Sequence, residues 1–266
     1  MTQTTGTPNP LWEKMQKGQR GIGTFVFSSD PCHTEIICRA GFDLVVIDME
    51  HAPLEIGDIA SHVRAANATG ISCWARVGHA QPQQIGRLLD QGVHGIVLPH
   101  FGLDMTHTHH VLEAFRYAPH GTRGTCTGVR SVSYGLTSFE KYANTSNEQA
   151  MAIGLIEDAS VVKKIDSVLA NCKLDAIVPG GPGDLATSMG FHGQGNHPEV
   201  IAAVKKIVLA GKSVPGLKVG VYLIDPKSAG MWIDLGVDFF LCSIDYRVMA
   251  NAYQSIQKEM TGNPSF

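Results

Sequence analysis

GFDLVVIDMEHAPLEI, residues 41–56, carries the repeating unit of this chain. Gly41 sits where a helix ends, and glycine accepts the left-handed backbone that closes one. Leu44 to Ile47 is a continuous apolar run, as expected for a strand buried on both faces of a parallel sheet. Asp48, Glu50 and His51 place polar chemistry where that strand stops. Ile56, Ile59, Ala60 and Val63 then recur at helical spacing across residues 56–69.

The unit repeats along the chain. β-rich runs fall at 21–28, 43–50, 72–77, 95–101, 152–157, 174–179, 218–223 and 239–244. Helical stretches fall at 11–19, 56–69, 81–91, 104–116, 158–170, 197–211 and 226–235, and Gly92 and Gly236 repeat the device of Gly41. Eight alternations in about 250 residues predict an α/β fold: a single-domain (β/α)8 TIM barrel with an N-terminal helix, in preference to an open doubly wound sheet. The expected boundaries are a flexible arm over 1–10, the barrel over 11–258 and a C-terminal tail over 259–266. One connection, 117–148, is long and rich in Gly, Ser and Thr, and loops of that length usually have a function.

Composition excludes several classes. The 266 residues hold 21 Lys and Arg against 24 Asp and Glu, a net charge of −3 without basic clusters, so no nucleic-acid partner is expected. No apolar run reaches the ~18 residues of a spanning helix, and no membrane partner is expected. The opening MTQTTGTPNP lacks the layout of a secretory signal. Six scattered cysteines with no CxxC pair read as reduced thiols of a cytoplasmic protein. Histidine, at twelve, is the unusual count.

Catalytic groups of such barrels lie at the C-terminal strand ends. Those ends carry Asp48, Glu50 and His51, then Arg76, His100, Glu157 and Asp184, with Asp225, Ser243 and Asp245 after the last two strands. Lysine is missing there, because Lys173 and Lys218 fall at strand starts; Schiff-base chemistry is disfavoured. Glu157 and Asp184 belong to neighbouring strands, so two hard oxygen ligands can converge on Mg²⁺ or Mn²⁺, with Co²⁺ a further candidate. Each also has a plain reading, Glu157 as a helix first-turn acid and Asp184 as a helix cap. The PGGPGD run, 179–184, can present backbone N–H groups to an anion or simply turn. Asp48 can orient His51 as a general base. Arg76 can stabilise an oxyanion, or pair structurally with Asp48 or Glu50. Of the remaining histidines, His100 is a speculative site residue; the other ten, among them His62, His94 and His197, read as surface, loop or helix-end residues.

Taken in order, GFDLVVIDMEHAPLEI, Arg76, GVHGIVLPHF (92–101), YAPHGTRG (117–124), GLIED (154–158) and GGPGDLATSMG (180–190) resemble the HpcH/HpaI aldolase family, class II pyruvate aldolases related to 2,4-dihydroxyhept-2-ene-1,7-dioate aldolase. The resemblance spans roughly residues 11–255. It implies a (β/α)8 barrel with a divalent cation on Glu157 and Asp184. It makes His51, held by Asp48, the acid/base group and sets Arg76 against the substrate carbonyl oxygen. The N–H groups of Gly183 and Asp184 would hold the pyruvate carboxylate. The implied reaction cleaves or forms 4-hydroxy-2-oxo acids through a metal-bound pyruvate enolate, with 2-oxo acids and aldehydes as substrates. The implied assembly is a homo-hexamer or another homo-oligomer, often with the last helix exchanged between neighbours.

This chain departs from the family where the site should be. Leu155 replaces a common glutamine, His100 a methionine, and Phe25 stands where some members carry tryptophan on the first strand. Arg130 is offset by about one position from a family arginine. Phe25 and His100 are therefore expected at the substrate, His100 as a second polar contact or, equally, as a histidine hydrogen-bonded to the 117–148 connection. Two alternatives remain: a condensing or decarboxylating enzyme using oxaloacetate or another 2-oxo acid, and a non-catalytic metabolite-binding barrel.

Overall fold

The computed structural model describes residues 9–262. Helix α1 (Pro10–Gln16) precedes β1 (Gly21–Val26), α2 (Cys32–Arg39), β2 (Leu44–Asp48), α3 (Ile56–Thr69), β3 (Ser72–Arg76), α4 (Pro82–Gln91), β4 (Gly95–Leu98) and α5 (Met105–Glu113). The second half runs α6 (Phe139–Gln149), β5 (Met151–Ile156), α7 (Ala159–Lys163), α8 (Ile165–Asn171), β6 (Ala176–Pro179), α9 (Ala186–Ser188), α10 (Pro198–Ser213), β7 (Lys218–Leu223), α11 (Ala229–Asp234), β8 (Phe239–Ile244) and α12 (Asp245–Thr261). The eight strands are parallel and close in chain order into a barrel. The expected (β/α)8 fold is what forms.

Strand alternation splits the core into two layers. Leu44, Val46, Trp74, Ile153, Val178 and Phe239 fill the barrel interior, and Leu11 and Met15 of α1 join that cluster. Val45, Ile47, Cys73, Ala75 and Ile177 face the opposite way, against the helices. Helix α1 therefore plugs the N-terminal end, with Lys218 at the start of β7 donating to Met15 O. The left-handed glycines expected after helices are there: Gly41, Gly92 and Gly236 have φ of 91°, 90° and 78°.

Several expectations are corrected. Most of the arm over 1–10 lies outside the described residues, but its last two residues are ordered. Asn9 is fully buried and caps α1 by accepting from Trp12 N, and its amide donates to Gln149 O. Of the tail over 259–266, the part up to Thr261 continues α12, and residues 263–266 lie outside the described region. The long connection is only partly irregular. It folds into a short 3-10 turn, Arg130–Gly135, and helix α6. Its polar composition hid the helix; Tyr117, Val132 and Tyr142 nonetheless form a small core of their own. Arg123 lies 4.5 Å above the Tyr117 ring and pairs with Asp90 at 2.8 Å. The predicted single helix over 158–170 breaks at Lys164 into α7 and α8.

Two histidines read as peripheral are buried. His62 is fully enclosed: its Nε2 lies 3.0 Å from Ser28 O and its Nδ1 2.8 Å from Thr34 Oγ1. A carbonyl only accepts, so Nε2 carries the proton and the Thr34 hydroxyl donates to Nδ1. His94 Nδ1 accepts the Cys73 N–H at 3.0 Å.

Candidate active site

The C-terminal strand ends surround a cavity of about 750 Å³. His51 follows β2, Arg76 ends β3, Glu157 follows β5, and Gly183 and Asp184 follow β6; all line it, together with Phe25 of β1. Register accounts for the convergence. Asp48 pairs with Arg76 across β2 and β3, and Ile156 with Pro179 across β5 and β6, so the residues that follow emerge side by side.

Arg76 is the most constrained of these groups. It is 8% exposed, forms an ion pair with the fully buried Asp48, lies 3.1 Å from Glu50 Oε2, and rests its guanidinium 4.8 Å from the Phe25 ring centroid. Its Nε is buried with no hydrogen-bond partner among the described residues. Both structural pairings considered for Arg76 are thus made, and they orient it toward the cavity rather than remove it.

Asp48 does not hold the His51 ring as expected. Its Oδ1 accepts the backbone N–H groups of Glu50 and His51, at 2.7 and 3.1 Å, and its other oxygen serves Arg76. The carboxylate beside the imidazole is Glu50, with Oε2 3.8 Å from His51 Nε2. Burial raises the Glu50 carboxyl, and Arg76 and His51 oppose that shift. The sequence signal for Glu50 was its place in DMEH, two residues past a buried aspartate.

Glu157 is 3% exposed, and its Oε1 accepts the His100 N–H at 2.7 Å. Burial pushes its carboxyl up to about 7; the His100 N–H pulls it back, and the charges of Glu50 and Asp184 add to the rise. Gly180 makes room for it, since a Cβ there would collide with the Cβ of Glu157. A buried carboxylate facing two other carboxylates is a good place for a cation. Asp184 is exposed at the same cavity. No group of three His, Cys, Asp or Glu able to hold a metal occurs among the described residues. The donor set is therefore an open pair of hard oxygens, which suits an ion that keeps water and substrate oxygens in its shell.

His100 is placed differently from expectation. It does not line the cavity; its Nδ1 lies 3.1 Å from Asp158 Oδ2 and 3.5 Å from Glu157 Oε1. Burial lowers its pKa, but the Asp158 hydrogen bond and the Glu157 charge outweigh that and leave it raised. Its φ of 48° turns the strand end so that its N–H reaches Glu157. It also makes no bond to the 117–148 segment.

The sequence reading missed one side of the cavity. Tyr222, Ile224, Ile244 and Arg247 line it from β7, β8 and α12, and His197 lines it from the loop before α10. Tyr222 and Ile244 are half-buried at strand ends, positions where a search for titratable groups passes over them. Leu155, in the family's glutamine position, lines it as well. Asp245 faces elsewhere: it accepts from Phe27 N, Ser28 N and Tyr246 N and lies 2.8 Å from His33 Nδ1.

The family model described as HpcH/HpaI aldolase/citrate lyase matches residues 21–252. A hydroxypyruvate/pyruvate aldolase of Cupriavidus necator is 29% identical over 97% of this chain and 94% of its own length. Among solved structures, an HpcH/HpaI aldolase from Desulfitobacterium hafniense DCB-2 superposes with a TM-score of 0.88 at 26% identity, covering 97% of this chain and 99% of that one. The citrate synthase SbnG gives a TM-score of 0.81 at 28% identity, covering 94% and 98%.

Proposed function

The chain belongs to the HpcH/HpaI aldolase/citrate lyase family, and from that premise we propose that it is a divalent-metal-dependent aldolase that cleaves or forms 4-hydroxy-2-oxo acids, with pyruvate as the common fragment. One observation carries this reading: Arg76, His51, Glu157 and Asp184, from four different strand ends, share one cavity. Glu157 and Asp184 would hold the cation, Mg²⁺ or Mn²⁺ with Co²⁺ a further candidate, which when bound supplies Lewis-acid stabilisation of the developing enolate.

The chain's own groups do the rest. Arg76, its plane fixed by Asp48 and Glu50, faces the oxygen on which negative charge accumulates. The N–H groups of Gly183 and Asp184 receive the substrate carboxylate. His51, 55% exposed and adjacent to Glu50, takes the 4-hydroxyl proton as the C3–C4 bond breaks. The bond's electron pair passes to C3, which then takes up a proton to give pyruvate, and the aldehyde leaves. The addition runs through the same groups in reverse. Phe25 supports Arg76 and the substrate from one wall.

The test is pyruvate release from a panel of 4-hydroxy-2-oxo acids with and without EDTA. EDTA-insensitive release would overturn the metal assignment, and no release from any of them would overturn the substrate class. A second reading is condensation or decarboxylation with oxaloacetate. The likeness to SbnG and the apolar Leu155 favour keeping it, and oxaloacetate belongs in the same panel.

We also propose a homo-oligomer, a hexamer in the family's manner. Helix α12 exposes Met249, Tyr253, Ile256 and Met260, an apolar row suited to a second copy. All six cysteines are unpaired, which supports a reducing, cytoplasmic setting. No helix among the described residues is long and apolar enough to cross a membrane.

A further inference from the structure

We propose that Tyr222 donates the proton that C3 of the enolate takes up, and that its phenolate removes a methyl proton when the reaction runs as an addition. The inference rests on the aldolase reading above and gives its second proton transfer a group of its own.

Cleavage moves two protons. The 4-hydroxyl proton goes to His51. As the bond breaks, His51 is engaged with the oxygen on C4, the atom that C3 is losing. The proton that replaces C4 on C3 therefore calls for a second donor.

The floor of the cavity holds one. Phe25, Leu155, Val178, Tyr222 and Ile244 pack in the barrel-interior cluster and also line the cavity, so they form its base. Four of these side chains are hydrocarbon; Tyr222 alone carries an ionisable proton. Its ring centroid lies 6.0 Å from that of Phe25, and the Arg76 guanidinium lies 4.8 Å from the same Phe25 ring. Tyr222 is thus one ring away from the group set against the enolate oxygen, and C3 is bonded to the carbon that bears that oxygen.

The phenol is also free to act. No group hydrogen-bonds its hydroxyl among the described residues, and the hydroxyl is not sealed in the core, so it opens to the cavity. Burial pushes the phenol up, which keeps it protonated near neutrality. The charges of Arg247 and Arg76 oppose that rise and favour the phenolate left after transfer. The other imidazole of the cavity is committed: His197 Nδ1 accepts the Glu199 N–H at 3.3 Å, and its ring stacks 3.8 Å from Phe191. His51 follows β2 and Tyr222 lies on β7, strands separated by β1 and β8 in the closed barrel, so the two groups reach the substrate from different sides.

The protons balance. The C3–C4 electron pair moves to C3 and takes the Tyr222 Oη proton, so a C–H bond forms as the O–H bond breaks. Solvent reprotonates the phenolate, and His51 gives the 4-hydroxyl proton to solvent. In the addition direction the phenolate takes one methyl proton, and C3 attacks the aldehyde.

The experiment compares Mg²⁺-loaded full-length wild type with Tyr222→Phe, which keeps the ring and loses only Oη. Exchange of pyruvate methyl protons with solvent deuterium is followed without aldehyde, and cleavage of a 4-hydroxy-2-oxo acid is followed through both products. Tyr222→Phe should lose about 10²-fold or more in exchange, the lower range for general acid–base catalysis, with Tm and pyruvate affinity near wild type. In cleavage it should release aldehyde in a first-turnover burst and pyruvate slowly; a merely structural defect slows both together. Exchange at the wild-type rate, or equal slowing of both products, overturns the proposal. If Tyr222→Phe does not fold, wild type carrying 3-fluorotyrosine decides. Of six tyrosines only Tyr222 lines the cavity, so its more acidic phenol should change the exchange rate, and an unchanged rate overturns the proposal. A wild type that exchanges methyl protons but cleaves no 4-hydroxy-2-oxo acid refutes the aldolase reading and leaves the exchange test of Tyr222 standing. A wild type that does neither overturns both.

Discussion

Nη1 of Arg76 stands 3.1 Å from Oε2 of Glu50, while Nη2 of the same fork is paired with the fully buried Asp48. Two acids on one guanidinium fix its plane against Phe25 and leave Nε without a hydrogen-bond partner among the described residues. Preorganisation of this kind lowers the reorganisation needed when charge develops in the substrate.

Arg76→Ala should therefore lower kcat by about 10²–10³-fold, the loss seen when one oxyanion donor is removed. Asp48→Asn should lower it less, by about 10-fold, because the amide oxygen can still accept from Glu50 and His51 while the charge that holds Arg76 is gone. Steady-state pyruvate release checks both. An Asp48→Asn enzyme as fast as wild type would show that Arg76 needs only Glu50.

Glu157→Gln should abolish EDTA-sensitive turnover and weaken Mn²⁺ binding in equilibrium dialysis, with the circular-dichroism spectrum retained. Gly180→Ala forces a Cβ into Glu157 and should cost about 1–3 kcal/mol of stability, the range for overpacking. It should weaken Mn²⁺ binding as well. A Gly180→Ala protein with wild-type Tm and affinity would mean that Glu157 shifts freely.

His62 predicts an acid-sensitive fold. Burial lowers its pKa below the usual 6.5, with the Ser28 carbonyl opposing. The unfolded chain then binds more protons than the folded one just below the unfolded value. Stability is fully present above about 6.5 and declines as pH falls through the lower folded value. Denaturant midpoints between pH 5 and 8, ranges set by ordinary histidine titration, should show a shallower decline for His62→Gln than for wild type. Identical slopes would remove His62 as the cause.

Arg123→Ala tests whether the 117–149 segment is scaffold. Its guanidinium is buried between Asp90, Ser146 and the Tyr142 hydroxyl, and breaking such a pair costs about 3–5 kcal/mol. Tm should fall, while kcat of the folded fraction stays near wild type, since the segment does not line the cavity. A loss of kcat without a loss of Tm would return this segment to the active site.

Much of the fold is legible in local pattern. The apolar runs that become β2 and β5 are buried on both faces, and few other arrangements satisfy such a run. Helix α6 was not legible, because FEKYANTSNEQ is polar and its order comes from Tyr142 packing on Tyr117, 25 residues earlier in the chain. For the site, strand-end position alone brought His51, Arg76, Glu157 and Asp184 to one cavity. The same rule misplaced His100 and Asp245. Position along a strand says which end a residue occupies, and a positive φ or a set of backbone donors then decides where its side chain goes.

The sequence by itself determined the barrel, its strand order and the groups available at the C-terminal ends, because hydrophobic periodicity and chain order constrain a closed parallel sheet. Partnership was decided only in three dimensions. Glu50 rather than Asp48 neighbours the His51 ring, Asp245 is engaged by the backbone that follows β1, and Arg247 at the cavity wall has no ion pair among the described residues. Those outcomes depend on angles and distances of a few ångströms between residues far apart in the chain, and hydrogen bonds and ion pairs are steep functions of both.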